Sequence, residues 1–213
     1  MTGAWVNQAS SSVASGTSKS QVVHATRTNG NLLIASCLIK NNDAITFTGA
    51  GWAQLGSTVH VGTTTTVILA YRIVDGTEPT IVFNWTNSSA ARSLMAQYSG
   101  VNASSFGTIA SNSGTGTTHS KTGFNTTAAN SFVIYRDENS INNGVATPAG
   151  WTEDYDQGSA GANADSVAGH KLVVTSGSAS GDISVTGGNA DWVMWQIELL
   201  DAGSTQGLLR MFS

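Results

Sequence analysis

Charge is what this sequence most conspicuously lacks. Only 10% of its 213 residues are Asp, Glu, Lys or Arg, against roughly a quarter in an average soluble domain. The nine basic residues are scattered without a run, and the net charge is −4. Surfaces that hold nucleic acid are built from clustered Lys and Arg, so no nucleic-acid partner is expected. The single cysteine, Cys37, cannot form an intrachain disulfide. It sits in an apolar strand with no base beside it, and reads as a small core residue rather than a nucleophile. No stretch approaches the roughly 18 unbroken apolar residues of a membrane span, so no membrane partner is expected. Met1-Thr2-Gly3-Ala4-Trp5 has no basic start and no continuous apolar run. A secretory signal is therefore not expected, and assembly in a cytoplasm is.

Helical patterning is missing too. No segment keeps a 3.6-residue apolar period between caps, so little or no helix is expected. What is present instead is Ser, Thr, Asn and 24 glycines, with a hydrophobic fraction of 40% that includes six tryptophans. Short strands joined by tight turns suit that composition, and the apolar fraction suffices for a core.

The chain also repeats itself. Asn31 recurs as Asn130, Ala50-Gly51-Trp52 as Ala149-Gly150-Trp151, Tyr71-Arg72-Ile73-Val74 as His170-Lys171-Leu172-Val173, and Met95-x-Gln97 as Met194-x-Gln196, all 99 residues apart. Strand readings follow the same plan. Leu33, Ala35, Cys37 and Ile39 mark the apolar face toward the core. Thr63–Val74 is a long β-branched strand. Pro79 opens a strand in which Ile81, Phe83 and Trp85 alternate with Val82, Asn84 and Thr86. Leu94, Ala96 and Tyr98 share one face, as do Val193, Trp195, Ile197 and Leu199. Two regions read as weak: a Ser-rich loop after Ala4-Trp5-Val6, and residues 103–127, with strands only near 107–110 and 120–125. The expected fold is a single antiparallel β-sandwich, jelly-roll-like, over residues 1–201, with half-repeats at about 5–101 and 104–201 and an extension at 202–213.

Five motifs carry a resemblance: Gly30–Ala35, Gly51-Trp52, Tyr71–Val74, Glu78-Pro79 and Tyr98–Val101. The chain resembles a loosely defined family of β-sandwich proteins found among phage virion proteins and in bacterial surface or secreted proteins. Asn31 stands where that family usually has Asp, and the second half matches less well. The resemblance implies a virion location and a non-enzymatic structural role, first of all a capsid decoration or cement protein. Its partners would be capsid or other virion proteins and further copies of itself, a trimer among the options. A tail- or fibre-associated module that binds host glycans, or a carbohydrate-binding module, is the alternative.

Candidate sites are few. Residues 208–212 place Leu208, Leu209, Met211 and Phe212 after a flexible Gly-Ser-Thr-Gln-Gly spacer; they are candidates to dock either on their own sandwich or on a partner. Trp192, on the opposite strand face from Trp195, is the tryptophan expected to be exposed and the candidate for glycan stacking. Asp154 and Asp156 would share a strand face and are the candidate oxygen ligands for Ca²⁺, against the commoner reading of a solvated edge. The four histidines show no metal-ligand spacing, and His170, in the position of Tyr71, reads as a packing ring. No cofactor is expected.

Overall fold

The computed structural model describes residues 3–203 apart from 143 and 160, without the side chains of 103, 104 and 159. Twelve strands and no helix occur among them. The first half forms β1 (Ala4–Gln21), β2 (Leu32–Ile39), β3 (Thr46–Thr48), β4 (Ala53–Gln54), β5 (Val59–Val61), β6 (Thr65–Ile73) and β7 (Ile81–Ser99). The second forms β8 (Val101–Lys121), β9 (Ser131–Asn139), β10 (Thr152–Ser159), β11 (Ala164–Val173) and β12 (Ile183–Asp201). Each half is one antiparallel sheet, and the two sheets pack face to face as a β-sandwich. The chain crosses between them at Gly100 alone, whose φ of +68° suits a residue without a side chain.

Strand order shows the repeat more clearly than residue identity does. The first sheet runs β1-β7-β2-β6-β4 and the second β8-β12-β9-β11-β10, the same order in equivalent strands. Ala53 pairs with Tyr71 and Thr152 with His170, each 99 residues on. The offset grows elsewhere. Leu32 opposite Tyr98 corresponds to Phe132 opposite Leu199, shifts of 100 and 101. A strand shifted by one residue would turn its core face outward, so turns of unequal length absorb the difference while each inward face is kept. The turns keep their bonds as well: Trp52 N–H donates to Gly49 C=O (3.3 Å) and Trp151 N–H to Pro148 C=O (3.1 Å).

Between the sheets lie Leu32, Ile34, Leu38, Val67, Leu69, Leu94, Ala96 and Tyr98 from one side, with Phe132, Ile134, Val193, Trp195, Ile197 and Leu199 from the other. Fully burying each large apolar side chain there contributes about 1.5–3 kcal/mol. The β1–β7 edge of one sheet lies against the β10–β11 edge of the other, and β5 against β8 and β12. The halves are thus related by an approximate twofold axis running between β2 and β9, along the strands.

Both outer faces are covered as well, by the chain itself. β1 and β7 carry bulges around Gly16, and β12 carries one between Thr186 and Ala190. Bulges bend a strand, and these bends fold the far halves of the long strands over their own sheets. Ile81, Phe83 and Trp85 thereby cover Leu33, Ala35, Cys37 and Ile39. Ile183 and Val185 do the same for Val133, Tyr135, Trp192 and Met194. This explains three departures from the sequence reading. The Ser-rich segment is one continuous strand with the residues before it. Residues 101–121 are a single strand, not two weak ones. And the odd positions of β2 face the outer cluster while its even positions face the central core, so that all eight of its residues are buried.

Candidate functional site

The polar chemistry of this protein is interior. Arg92, Arg136, Asp137, Glu138, Asp165 and Glu198 are each no more than 1% exposed, and charges of this kind are almost never fully buried unless paired. Three of them are consecutive in β9, the central strand of the second sheet, where Tyr135-Arg136-Asp137-Glu138-Asn139 sends alternate residues to opposite faces.

On the inner face, Arg136 reaches across to the first sheet. It donates to Ile34 C=O (3.1 Å), Ser36 Oγ (2.8 Å) and Leu94 C=O (3.4 Å), and to its own neighbour Glu138 (3.1 Å). Glu138 also accepts from Ser166 Oγ at 2.8 Å. Tyr155 lies over the guanidinium, 5.9 Å from its ring centroid. Nearby, Arg92 of β7 faces Asp165 of β11 at 3.6 Å. Burial pushes the Asp165 carboxyl up to about 6, and the neighbouring Asp156 adds to this while Arg92 opposes it.

On the outer face, Asp137 meets His119 Nδ1 at 2.6 Å, and the His119 ring stacks on Trp192 with centroids 5.3 Å apart. Burial raises the Asp137 pKa against the pull of His119. A second pair joins His170 Nδ1 to Asp154 at 2.5 Å, with His170 stacked on Phe132 at 4.6 Å. The Asp154 carboxyl is likewise raised by burial, against the pull of His170. A carboxylate holding a histidine Nδ1 is the orienting half of a nucleophile triad. Here His119 Nε2 has no hydrogen-bond partner and lies under Gly187, where a Cβ would approach it to 3.2 Å. Among the described residues no hydroxyl is aimed at it.

Glu198 is held differently. Its carboxylate accepts from the N–H groups of Thr108 (3.0 Å), Thr127 (2.8 Å) and Ala128 (3.2 Å), and from the hydroxyls of Thr127 (3.0 Å) and Ser131 (2.6 Å). This anion fastens the β8 bulge to the turn before β9. Gly107 is needed for it, since a Cβ there would lie 2.0 Å from Glu198 Oε2. The first sheet has its own fastening where β6 turns into β7. Arg72 spans Asp75 (3.1 Å) and Ala50 C=O, while Glu78 accepts from the Asp75 and Gly76 N–H groups and from Arg27.

The sequence candidates fare unevenly. Trp192 is 5% exposed, closed in by His119 and the outer cluster of the second sheet. It does lie opposite Trp195, but the folded-over half of β12 covers that face, so its ring offers no stacking platform for a sugar. Asp154 and Asp156 do not share a face. A bulge between Glu153 and Tyr155 turns Asp154 to His170, while Asp156 is exposed and lies toward Gly144. That separation removes them as a Ca²⁺ pair, and among the described residues no three His, Cys, Asp or Glu side chains gather to hold a metal ion. Leu208, Leu209, Met211 and Phe212 lie outside the described residues. Cys37 is buried in the outer cluster of the first sheet, and that burial pushes its thiol pKa far up. The β9 charges and Glu198 escaped the sequence reading. The available signal was an Arg-Asp-Glu run directly continuing the apolar run Phe132-Val133-Ile134-Tyr135.

Compared with known proteins, the chain matches no family model, and no curated protein or solved structure shows significant similarity to it.

Proposed function

We propose that this chain is a non-enzymatic structural protein of a bacteriophage particle, a capsid decoration protein that bridges and stabilises neighbouring capsid subunits. One observation carries the reading: six charged side chains are fully buried, while the two long edge strands, β1 and β8, are left almost without charge. Six of the 22 Asp, Glu, Lys and Arg side chains (13 acidic plus 9 basic) are the fully buried ones named above. The long outermost strands β1 and β8 contain just two such residues, Lys19 and Lys121.

Interface cores are depleted of charged residues, because desolvating a charge opposes association. A sandwich with covered outer faces and strands pinned by buried ion pairs also loses little conformational freedom on binding. Both traits suit a protein whose work is to lie against other proteins. The phage setting comes from the five motifs that resemble virion β-sandwich proteins.

Sedimentation tests it. Purified chain added to phage capsids stripped of their accessory proteins should pellet with them at a saturating copy number and raise the temperature at which they burst. A chain that stays in the supernatant at micromolar concentration, or binds without changing the bursting temperature, overturns the reading.

A further inference from the structure

The large apolar side chains exposed among the described residues are Val6, Val22, Ile73, Leu172 and Val174. Four of them, Val6, Ile73, Leu172 and Val174, belong to one end of the sandwich. Val6 lies beside the bulge where β1 begins opposite Tyr98. Ile73 and Leu172 are equivalent positions, at the ends of β6 and β11 opposite Leu32 and Phe132. Val174 follows β11. Val22 lies elsewhere: it follows Gln21, whose amide accepts from Ser93 Oγ at 2.9 Å over the middle of the first sheet. The opposite end, where Thr65 bonds Asp191 and Arg92 meets Asp165, has no exposed large apolar side chain among the described residues.

The chain leaves the sandwich at the apolar end. Asp201 pairs with Val101, Ala202 N–H donates to Gly100 C=O at 3.2 Å, and Gly203 N–H to Asp201 Oδ1 at 2.7 Å. Ser204-Thr205-Gln206-Gly207 follows, then Leu208-Leu209-Arg210-Met211-Phe212. From Gly203 to Leu208 the chain can span at most about 17 Å. The eight residues of β2 alone run ~26 Å, which puts the far end out of reach. Val174 and Leu172, by contrast, belong to β11, two strand spacings or about 10 Å from β12.

We propose that residues 208–212 seat on the apolar end of their own molecule, over Leu172 and Val174. Matching apolar surfaces argue for the seat. The tether argues for the same molecule, because a short connection sets an effective concentration in the millimolar range, far above that of a second copy.

Cysteine pairing tests the seat cleanly, because the natural Cys37 is buried. Under mild oxidation the full-length Val174→Cys/Leu209→Cys protein should form a disulfide within the monomer, seen as loss of both introduced thiols without a dimer band. A mixture of the two single variants should give no crossed dimer. Crossed dimers would assign the segment to a second copy and overturn the proposal, and so would the absence of any disulfide from both this variant and Leu172→Cys/Leu209→Cys. The full-length Leu208→Ser/Leu209→Ser/Met211→Ser/Phe212→Ser variant should bind an apolar dye severalfold more than the natural chain. Unchanged dye binding also overturns it.

Discussion

The two halves solve one folding problem with different chemistry. In the first sheet the central strand β2 carries Ser36 and Leu38 on its inner face; at the equivalent places β9 carries Arg136 and Glu138, each 100 residues on. Position 71 is Tyr and position 170 is His, both packed against an aromatic ring. The comparison teaches that topology fixes which positions face inward, and not whether they are apolar. What decides polarity is the partner across the axis. Ser36 and Arg136 are equivalent, and they touch each other. Identical arginines there would put two like charges against one another in the core. A short hydroxyl on one side lets a single guanidinium span the gap, so an approximate twofold with its axis through this contact favours halves that differ.

Removing the guanidinium should have the largest effect. Arg136→Met leaves Glu138 buried with Ser166 as its hydrogen-bond partner and only Arg92 as a nearby opposite charge, and should cost about 3–5 kcal/mol in urea-denaturation experiments. Arg136→Met/Glu138→Leu, which makes the second sheet more like the first, should recover most of that. A double variant as unstable as the single one would show that the pair contributes more than mutual neutralisation.

Next comes the pair Gln97 and Glu198, equivalent positions 101 residues apart in β7 and β12. Glu198 has five donors, whereas neither the oxygen nor the nitrogen of the buried Gln97 amide has a partner. Glu198→Gln replaces an acceptor-only group by one that aims N–H at N–H, and should cost about 2–3 kcal/mol. Gln97→Met should instead leave stability unchanged or raise it by about 1 kcal/mol, because an unsatisfied buried amide is removed. Equal losses at the two sites would contradict the contrast.

The halves should also answer pH in opposite senses. In the first, Asp75 is held down by the Thr77 hydroxyl and N–H, with help from Arg72, and Asp43 by Asn87. In Glu78 burial pushes upward, but the Asp75 and Gly76 N–H groups and Arg27 outweigh it. A carboxyl whose pKa is lower folded than unfolded stabilises above its unfolded value, and that stability is lost as pH falls through the folded one. In the second half Asp137, Asp154, Asp156 and Asp165 are all raised, first of all by burial. There the folded state holds its protons more tightly, so stability falls as pH rises from about 4 toward 6, the value for Asp165. Asp165→Asn should flatten that fall by about 1 kcal/mol once solvent screening is allowed for. Thermal melts from pH 4 to 7 would read it, and an unaltered slope would count against Asp165 as its source.

Much of this architecture was legible in the sequence, and the boundary of legibility is physical. Alternation revealed the inner faces of β7 and β12, because one residue in two must be apolar where a strand lies on a core. Gly-Trp turns revealed the repeat, because a turn fixes residue type locally. The long outer strands stayed hidden: Ser, Thr and Gly in β1 and β8 have no apolar face to alternate, and only pairing with β7 and β12 makes them strands. The site was less visible still. Trp192 looked exposed because its cover comes from the other half of its own strand, beyond a bulge that leaves no periodic trace. Asp154 and Asp156 looked paired because an inserted residue is invisible to a count of two.

The smallest predicted effect bears most directly on the axis. Ser36→Ala deletes one of the acceptors that receive Arg136, while Ile34 C=O, Leu94 C=O and Glu138 remain. The guanidinium stays paired and the lost hydroxyl leaves little void, so the cost should be about 0.5–1 kcal/mol, with the bond from Arg136 the larger part and the long 3.4 Å bond to Leu94 C=O the smaller. In the Arg136→Met background the same change should cost less, because the Ser36 hydroxyl then keeps only its own 3.4 Å bond to Leu94 C=O. A double-mutant cycle measures this coupling directly. Additive effects would mean that Ser36 and Arg136 stabilise the sandwich independently, and the contact across the axis would lose its place as the reason the halves diverged.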